Sequence, residues 1–272
     1  MIFAIDGTNW VHVLWHASGG EHVVARFLTR LGLIETAYAP ERIVVAFDAG
    51  RTFRHEIYVG YKANRKANPE IADVLREVQA ATEKLPQVVT IQETEFEADD
   101  TLATVARICR ELGHKCVLAS PDKDLCQCLV EGEVAILRGW KSARGQLFPE
   151  WLTAKRLESG KTGLRPDQWV DYQTLVGDST DNVPGCKGIG EKTASALLRK
   201  QGNLQVIADQ LQREIKDWAV RSVTVCSEKQ RNTLYRFLTD GTADVMRDLV
   251  TLCDRVPFVA DALDLNSAEA AI

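Results

Sequence analysis

Acidic residues form five short groups between residues 6 and 181. The groups are Asp6, Asp48, Glu97-Ala-Asp99-Asp100, Asp122-Lys-Asp124 and Asp178-Ser-Thr-Asp181. Four of the five follow probable strands, so they are expected at one edge of a sheet. One or two of the acids at 97–100 can instead cap the helix that follows them. Nine carboxylates at one edge repel each other unless cations lie among them, so the pattern predicts a metal centre.

Oxygen ligands without histidine or thiolate suit hard ions, so we expect Mg²⁺, with Mn²⁺ able to substitute. Two such ions roughly 4 Å apart can ready a water for attack on a phosphate and stabilise the departing oxygen. Hydrolysis of a phosphodiester is the predicted chemistry. The seven cysteines are odd in number and lie in apolar stretches, which indicates reduced core thiols rather than disulfides or a zinc site.

A basic segment at residues 51–66 carries five Lys or Arg against one Glu, interleaved with aromatic residues. It directly follows Asp48, which would place Lys62 and Arg65 where they can hold a scissile phosphate. Tyr61 is predicted to stack on a base, and Lys66 to contact DNA. The alternative interpretation is a solvated surface loop.

A glycine-rich turn at residues 185–194 precedes a probable helix. Backbone N–H groups at Gly188 and Gly190 make an anion site suited to a DNA phosphate, and Lys187 and Lys192 add positive charge. The predicted result is a duplex grip that does not depend on base sequence. A plain αα-hairpin turn is the alternative, and the carbonyls of residues 185–190 are candidate K⁺ ligands.

These groups must be positioned by alternating strands and helices. Strands are predicted at 2–6, 43–48, 88–92, 116–120 and 134–138, and helices at 22–38, 71–85 and 98–112. This alternation predicts an α/β fold with a mostly parallel, doubly wound sheet, whose ligand site lies beyond the carboxyl ends of the strands. After about residue 165 the strand signals fade into short helices. We therefore expect a catalytic domain at 1–165 and a helical region at 166–272.

Composition is compatible with a nucleic-acid enzyme despite a formal net charge of −5. Removing the nine acids assigned to metal from the 38 leaves 29, against 33 bases, so the rest of the chain is mildly basic. No signal-peptide pattern and no run of roughly 18 apolar residues is present, which predicts a cytoplasmic protein without a membrane partner.

Six motifs, in order and with similar spacing, resemble the 5′-nuclease domain of bacterial DNA polymerase I and its phage and flap-endonuclease relatives. They are FAIDGTN, VVAFDAG, Arg54 with YKANR, FEADDTLAT, SPDKDLCQ and VGDSTDNVPGCKGIGEKTA, across residues 1 to about 200. The resemblance implies a PIN-like catalytic domain with a helical arch and a helix-three-turn-helix (helix-hairpin-helix) DNA-binding region. It also implies a structure-specific 5′-3′ exonuclease and flap endonuclease acting in DNA replication and repair.

The resemblance further implies roles for individual residues. Asp6, Asp48, Glu97, Asp99 and Asp100 match the first-metal group, and Asp122, Asp124, Asp178 and Asp181 extend to the second. Lys62 matches a catalytic lysine, Arg65 a phosphate-contacting arginine, and Arg54 is grouped with them as catalytic. Expected partners are flapped, nicked or 5′-ended DNA, RNA primer strands and a DNA polymerase, with the chain acting as a monomer.

Two departures from the family pattern affect what is carried over. The connection WHASGGEHV at 15–23 is short, which puts contacts to upstream duplex in doubt. Ser120 and Pro121 replace the usual Thr-Gly before Asp-Lys-Asp, which alters the local turn but spares both acids.

Three other functions fit parts of the sequence. A haloacid-dehalogenase-type phosphatase would use Asp6 as nucleophile, but it needs an acid two residues later, where Thr8 stands. A non-catalytic DNA-junction-binding module would keep the fold without turnover. An RNA-directed PIN ribonuclease is disfavoured by the duplex-binding turn.

Overall fold

The structure, a computed structural model, describes residues 1–143, 146–216, 223, 225–257 and 259–263. The strands are β1 Ile2–Asp6, β2 Arg42–Ala46, β3 Val88–Ile91, β4 Cys116–Ala119, β5 Val134–Ala143 and β6 Gln146–Leu152. The helices are α1 Gly7–Ser18, α2 Val23–Tyr38, α3 Arg54–Ile57, α4 Pro69–Thr82, α5 Ala98–Glu111, α6 Ala154–Glu158, α7 Trp169–Val176, α8 Glu191–Gln201, α9 Leu204–Lys216, α10 Glu228–Thr239, α11 Thr242–Val250 and α12 Val259–Leu263. Short 3₁₀ helices span Asp124–Cys128 and Pro166–Gln168.

One six-stranded sheet has the order β3-β2-β1-β4-β5-β6. All neighbours are parallel except β5 and β6, which pair antiparallel. The predicted α/β class and mostly parallel sheet are therefore confirmed. Helix α1 and strand β6 were not predicted: α1 begins directly after β1 with Asp6 as its N-cap, so no loop separates the two elements.

Alternating side chains of the central strands pack against helices on both faces of the sheet. Phe3, Ile5, Ile43 and Val45 join the core formed with α1, α2 and α4. Successive strand residues point to opposite faces, so the buried Ile2 and its alternates lie on the face covered by α5. This doubly wound arrangement brings the carboxyl ends of β1, β2 and β4 to one edge.

The chain forms two compact units. The first comprises Met1–Thr52, Ala67–Thr153 and Leu252–Ile272, and the second Phe53–Lys66 and Ala154–Thr251. Each unit draws on separate stretches of chain, so the predicted linear division at residue 165 stays a prediction. Part of the predicted 166–272 region, at 217–222, 224, 258 and 264–272, lies outside the described residues.

A short closing segment, residues 252–256, is hydrogen-bonded to helix α5 of the first unit. Asp100 Oδ1 accepts the Cys253 N–H at 2.8 Å, and Thr104 Oγ1 accepts the Val256 N–H at 3.0 Å. Arg107 Nε donates to the Asp254 carbonyl at 2.7 Å. Helix α5 is thereby held by a segment about 150 residues later in the chain.

In the second unit a buried carboxylate ties three helices together. Asp171 on α7 accepts the Leu204 N–H at the start of α9 at 2.9 Å and a hydrogen bond from Arg247 on α11.

Throughout the described residues, no helix combines the length and the hydropathy needed to cross a lipid bilayer.

Candidate functional site

Asp6 lies at the end of β1, where the strand passes directly into α1. It is 4% exposed, and its Oδ1 accepts the Asn9 N–H at 2.8 Å as the helix cap. Its Oδ2 accepts a hydrogen bond from Ser120 Oγ at 3.0 Å. Burial, followed by the negative charge of Asp48, raises the pKa of Asp6 to about 7, although both hydrogen bonds oppose the shift.

Ser120, which in the sequence stands out only as a departure from the family pattern, is a residue of the site. It is fully buried after β4, donates to Asp6, and accepts the Asp122 N–H at 3.2 Å. One hydroxyl therefore links the ends of β1 and β4. A small hydroxyl residue directly after a buried strand and before an acid was the available signal.

Thr8, in the first turn of α1, has a comparable role for the neighbouring strand β2. Its Oγ1 accepts the Asp48 N–H at 2.9 Å, which fixes the backbone just after β2. Asp48 Oδ1 in turn accepts the Ala98 N–H at 2.8 Å, at the first turn of α5. The acids that follow β1 and β2 are thus held by residues of other elements within the first unit.

Asp99 is at the electrostatic centre of the first unit's acids. Burial raises its pKa well above the ordinary value, and Asp6, Asp122, Asp124 and Asp48 raise it further. Its Oδ1 is buried and is without a hydrogen-bond partner among the described residues. A buried carboxylate oxygen normally has a partner, so this atom is suited to face a cation.

Glu97 and Asp100 flank Asp99 but differ from it in their surroundings. Asp100 is fully buried, and its Oδ2 accepts the Glu97 N–H at 3.0 Å while its Oδ1 accepts the Cys253 N–H. Both Asp100 oxygens are therefore used by backbone donors. Glu97 is 8% exposed and precedes α5 as its N-cap residue.

Asp122 and Asp124 follow β4, and Asp122 Oδ1 accepts the Asp124 N–H at 2.9 Å. Within the described residues, no three His, Cys, Asp or Glu side chains converge closely enough to form a complete metal cage. The acids of the first unit share one electrostatic environment, and each is held separately. Their all-oxygen donor set and the unpartnered Asp99 Oδ1 fit a hard divalent ion.

The remaining two predicted ligands, Asp178 and Asp181, lie in the second unit. Asp178 Oδ1 accepts the Thr180 N–H at 2.7 Å, and the backbone of Asp178 pairs with that of Val183 through bonds of 2.8 and 2.7 Å. These bonds close a tight loop. The roles of Asp178 and Asp181 as metal ligands stay predictions.

Asp181 is the anchor of the basic segment. Its carboxylate accepts hydrogen bonds from Tyr61 Oη at 3.1 Å and from Arg65, and it lies 3.7 Å from Lys62 Nζ. The Lys62 N–H also donates to the Asp181 carbonyl at 2.9 Å. Arg65 remains half exposed and Lys62 slightly exposed, so both predicted phosphate-binding groups are held in place while reaching solvent.

Two other residues of this segment, Tyr61 and Arg54, are almost completely buried, and their predicted roles stay predictions. Tyr61 is only 3% exposed, its ring lies at 86° to that of His55 with centroids 5.3 Å apart, and Lys62 Nζ lies 5.2 Å from its ring centroid. Arg54 is 1% exposed, and it donates to the carbonyls of Leu249 at 3.0 Å and Thr251 at 2.9 Å, at the end of α11. The structure thus gives both residues supporting positions.

The predicted phosphate-binding turn leads into α8 through Gly190. Lys187, Gly188, Gly190 and Lys192 are all exposed, and the N-cap residue of α8 is Gly190, which has no side chain to cap the helix. Gly188 has φ of +83°, a backbone conformation that side chains disfavour. Its carbonyl accepts a hydrogen bond from Gln230 Nε2 at 2.9 Å.

Family models match nearly the whole chain. The 5′-3′ exonuclease N-terminal resolvase-like domain matches residues 1–156, and the 5′-3′ exonuclease C-terminal SAM fold matches residues 164–271. The chain belongs to the 5′-3′ exonuclease family. The family resemblance inferred from the motifs is thereby confirmed, and it excludes the haloacid-dehalogenase alternative.

Relatives of this family member include much longer proteins. DNA polymerase I of Rhizobium leguminosarum is 32% identical over 96% of this chain and 25% of its own length. Thermostable DNA polymerase I of Thermus thermophilus is 44% identical over 60% of this chain and 18% of its own length. The chain thus spans about a quarter or less of the length of these relatives.

Solved structures confirm a PIN-like fold. The T5 5′-exonuclease, solved with divalent metal ions (zinc), gives a TM-score of 0.74 at 19% identity, over 99% of this chain and 96% of that one. The catalytic core of Rad2 in complex with DNA substrate gives 0.57 at 14% identity, over 94% of this chain and 80% of that one.

Proposed function

We propose that this family member hydrolyses DNA phosphodiesters at 5′ flaps, nicks and free 5′ ends, in replication and repair. The observation that carries the proposal is the buried Asp99 Oδ1, which has no hydrogen-bond partner in the described part of the chain and is surrounded by the charges of four other aspartates. A cation at this position would relieve both costs at once.

The residues of the first unit would hold two divalent ions, Mg²⁺ by preference and Mn²⁺ as a substitute. Asp6, Asp48, Asp99, Asp122 and Asp124 are the ligands we propose for this unit, with Glu97 beside them. Two divalent ions held there would supply Lewis-acid activation of a water and charge stabilisation for the departing oxygen. Ser120 and Thr8 keep the first two acids oriented, because each fixes the end of a strand.

Residues of the second unit would bind the DNA backbone. Lys62 and Arg65 offer cationic groups to a phosphate of the 5′ strand. Their ion pairs with Asp181 restrict the orientations of the two side chains. Lys187, Lys192 and the open N–H groups around Gly190 suit a duplex phosphate. A K⁺ ion at the 185–190 turn, RNA primer strands as substrate and a cooperating DNA polymerase complete this proposal.

Cleavage of a 5′-flap DNA labelled at its 3′ end tests the proposal, in Mg²⁺ and in EDTA. Asp122→Asn with Asp124→Asn is the informative variant, because asparagine keeps the Asp122 oxygen that accepts the Asp124 N–H. Removing two exposed acids of α4, Asp73→Asn with Glu77→Gln, is the matched control.

We expect cuts near the branch that need Mg²⁺, persist in the α4 control and fall at least 100-fold in the Asp122 and Asp124 variant. Equal cutting in EDTA would refute metal-dependent hydrolysis. Tight flap binding without cutting in either Mg²⁺ or Mn²⁺ would favour the non-catalytic junction-binding module. The same substrate with an RNA flap determines which 5′ strand is preferred.

A further inference from the structure

We propose that helix α10 is a second phosphate-binding arm, which contacts the backbone of the same DNA duplex as the 185–190 turn. The inference rests on the proposed function, since it assumes that the second unit binds duplex DNA. It adds a binding surface that the sequence motifs did not indicate, because α10 lies outside all six of them.

The first observation is a rigid link between α10 and the turn. Gln230 Nε2 donates to the Gly188 carbonyl at 2.9 Å, while Gln230 Oε1 accepts the Ser227 N–H at 3.0 Å. Ser227 Oγ accepts the Gln230 N–H in return, which completes a capping box at the start of α10. Both ends of the Gln230 amide are therefore fixed, and a ligand held by the turn has α10 at a defined position beside it.

The second observation is the chemistry of the outward face of α10. An open groove of about 560 Å³ is lined by Lys229, Asn232, Thr233, Arg236 and Glu228. Lys229, Asn232 and Arg236 are exposed, at spacings of three and four residues that put them on one side of the helix. Cationic, amide and hydroxyl groups in a row suit the phosphates and sugars of a nucleic-acid backbone.

The cations of this face are free to pair with an external anion. Within the described residues, neither Lys229 nor Arg236 forms an ion pair, whereas the inward Arg231 pairs with Glu214 at 3.4 Å. Among the described residues that line the groove, Glu228 is the single acid, and it lies in the first turn of α10, where a negative charge offsets the helix dipole. The two basic residues are seven positions apart, which is about 10 Å along the helix.

The occupant we infer is duplex DNA rather than a protein. Large apolar side chains are missing from the five residues that line the groove, so hydrophobic docking has no anchor there. Contacts to backbone phosphates need no base recognition, which agrees with a grip that acts on any sequence. Each contact should release counterions and appear in the salt dependence of binding.

Salt titrations of binding measure the number of phosphate contacts directly. The probe is a blunt duplex hairpin carrying a fluorophore, with anisotropy read from about 50 to about 200 mM salt in EDTA to prevent cleavage. For Lys229→Gln with Arg236→Gln, the slope of log K against log salt should become shallower by about 1.8, because each phosphate contact contributes about 0.9. Affinity at the lowest salt should fall at least tenfold.

Two further variants separate charge from damage to the helix. Lys229→Arg with Arg236→Lys keeps both charges and should restore the wild-type slope. Arg76→Gln with Lys84→Gln removes two exposed charges from the first unit and should leave the slope unchanged. Wild-type binding with an unaltered slope in the Lys229 and Arg236 glutamine variant overturns this inference alone. A wild-type protein that fails to bind the duplex overturns the proposed function and this inference together.

Discussion

Replacing Asp6 by asparagine should stabilise the metal-free protein while removing the nuclease activity that we propose. Burial beside Asp48 raises the pKa of Asp6 to about 7, against about 3.9 for an ordinary aspartate. The folded state therefore holds this proton more tightly than the unfolded state, and the stability associated with Asp6 is lost as pH rises from about 4 to about 7. Asparagine does not titrate, so the variant escapes this loss.

The magnitude follows from the size of the shift. One pKa unit corresponds to about 1.36 kcal/mol, and Asp6 is half ionised in the folded state at about pH 7, so between about pH 5 and about pH 7 the wild type should lose about 2.3 kcal/mol relative to Asp6→Asn. In a chain of this size that corresponds to a relative fall in Tm of roughly 5–10 °C. Asparagine is as good an N-cap as aspartate, so its oxygen can keep the Asn9 N–H, while its amide N–H₂ faces Ser120 Oγ, which can accept a hydrogen bond instead of donating one.

Thermal unfolding followed by circular dichroism in EDTA, from about pH 5 to about pH 8, measures this difference. The Tm of the wild type should fall relative to the variant up to about pH 7 and then run parallel to it. Added Mg²⁺ should raise the Tm of the wild type more than that of Asp6→Asn, since only the former keeps the full set of carboxylates. Parallel curves over the whole range in EDTA would refute the argument.

Three further outcomes are expected. Asp100→Ala should cost roughly 2–6 kcal/mol of unfolding free energy, in EDTA and in Mg²⁺ alike, because two buried backbone donors lose their acceptor; a loss seen only with Mg²⁺ would assign Asp100 to the metal instead. Gln230→Leu should weaken duplex binding more than Ser227→Ala, although both weaken the cap of α10; anisotropy titrations compare them, and equal effects would deny the link to the turn. Gly185→Ala should unfold its loop, since a Cβ there lies 2.5 Å from backbone atoms. In Gly202→Ala the Cβ meets open space, so this variant should lose only about 1 kcal/mol of unfolding free energy, measured by urea denaturation. Equal losses in the two variants would contradict the steric reason.

Local patterns were sufficient to predict most of the central sheet. Strands β1 to β5 and helices α2, α4 and α5 lie where hydrophobic periodicity placed them, because each has one buried face along a continuous stretch. Helix α1 was missed although Trp10, Val11 and Leu14 have helical spacing, since Asp6 was considered as a ligand and not also as an N-cap. One side chain can do both.

Distant partners explain the predictions that local patterns could not make. Arg54 carries the positive charge expected of a catalytic group, but it donates to carbonyls that lie 195 and 197 residues later in the chain. Asp100 resembles its neighbour Asp99, but a backbone donor 153 residues later occupies one of its oxygens. Only the folded chain reveals these distant hydrogen-bond partners, and the role of Asp100 as a metal ligand stays a prediction.

The closing segment at residues 252–256 affects the order of folding during synthesis. Helix α5 carries Asp99, but the backbone groups that fasten α5 emerge from the ribosome only after the whole second unit has been made. The first unit is therefore complete only after residues 252–256 have been translated, with Cys253 following Asp100 by 153 residues. The acids that we propose as metal ligands around Asp99 would therefore lack their final support, and stay inactive toward nearby nucleic acid, until this segment has joined the first unit.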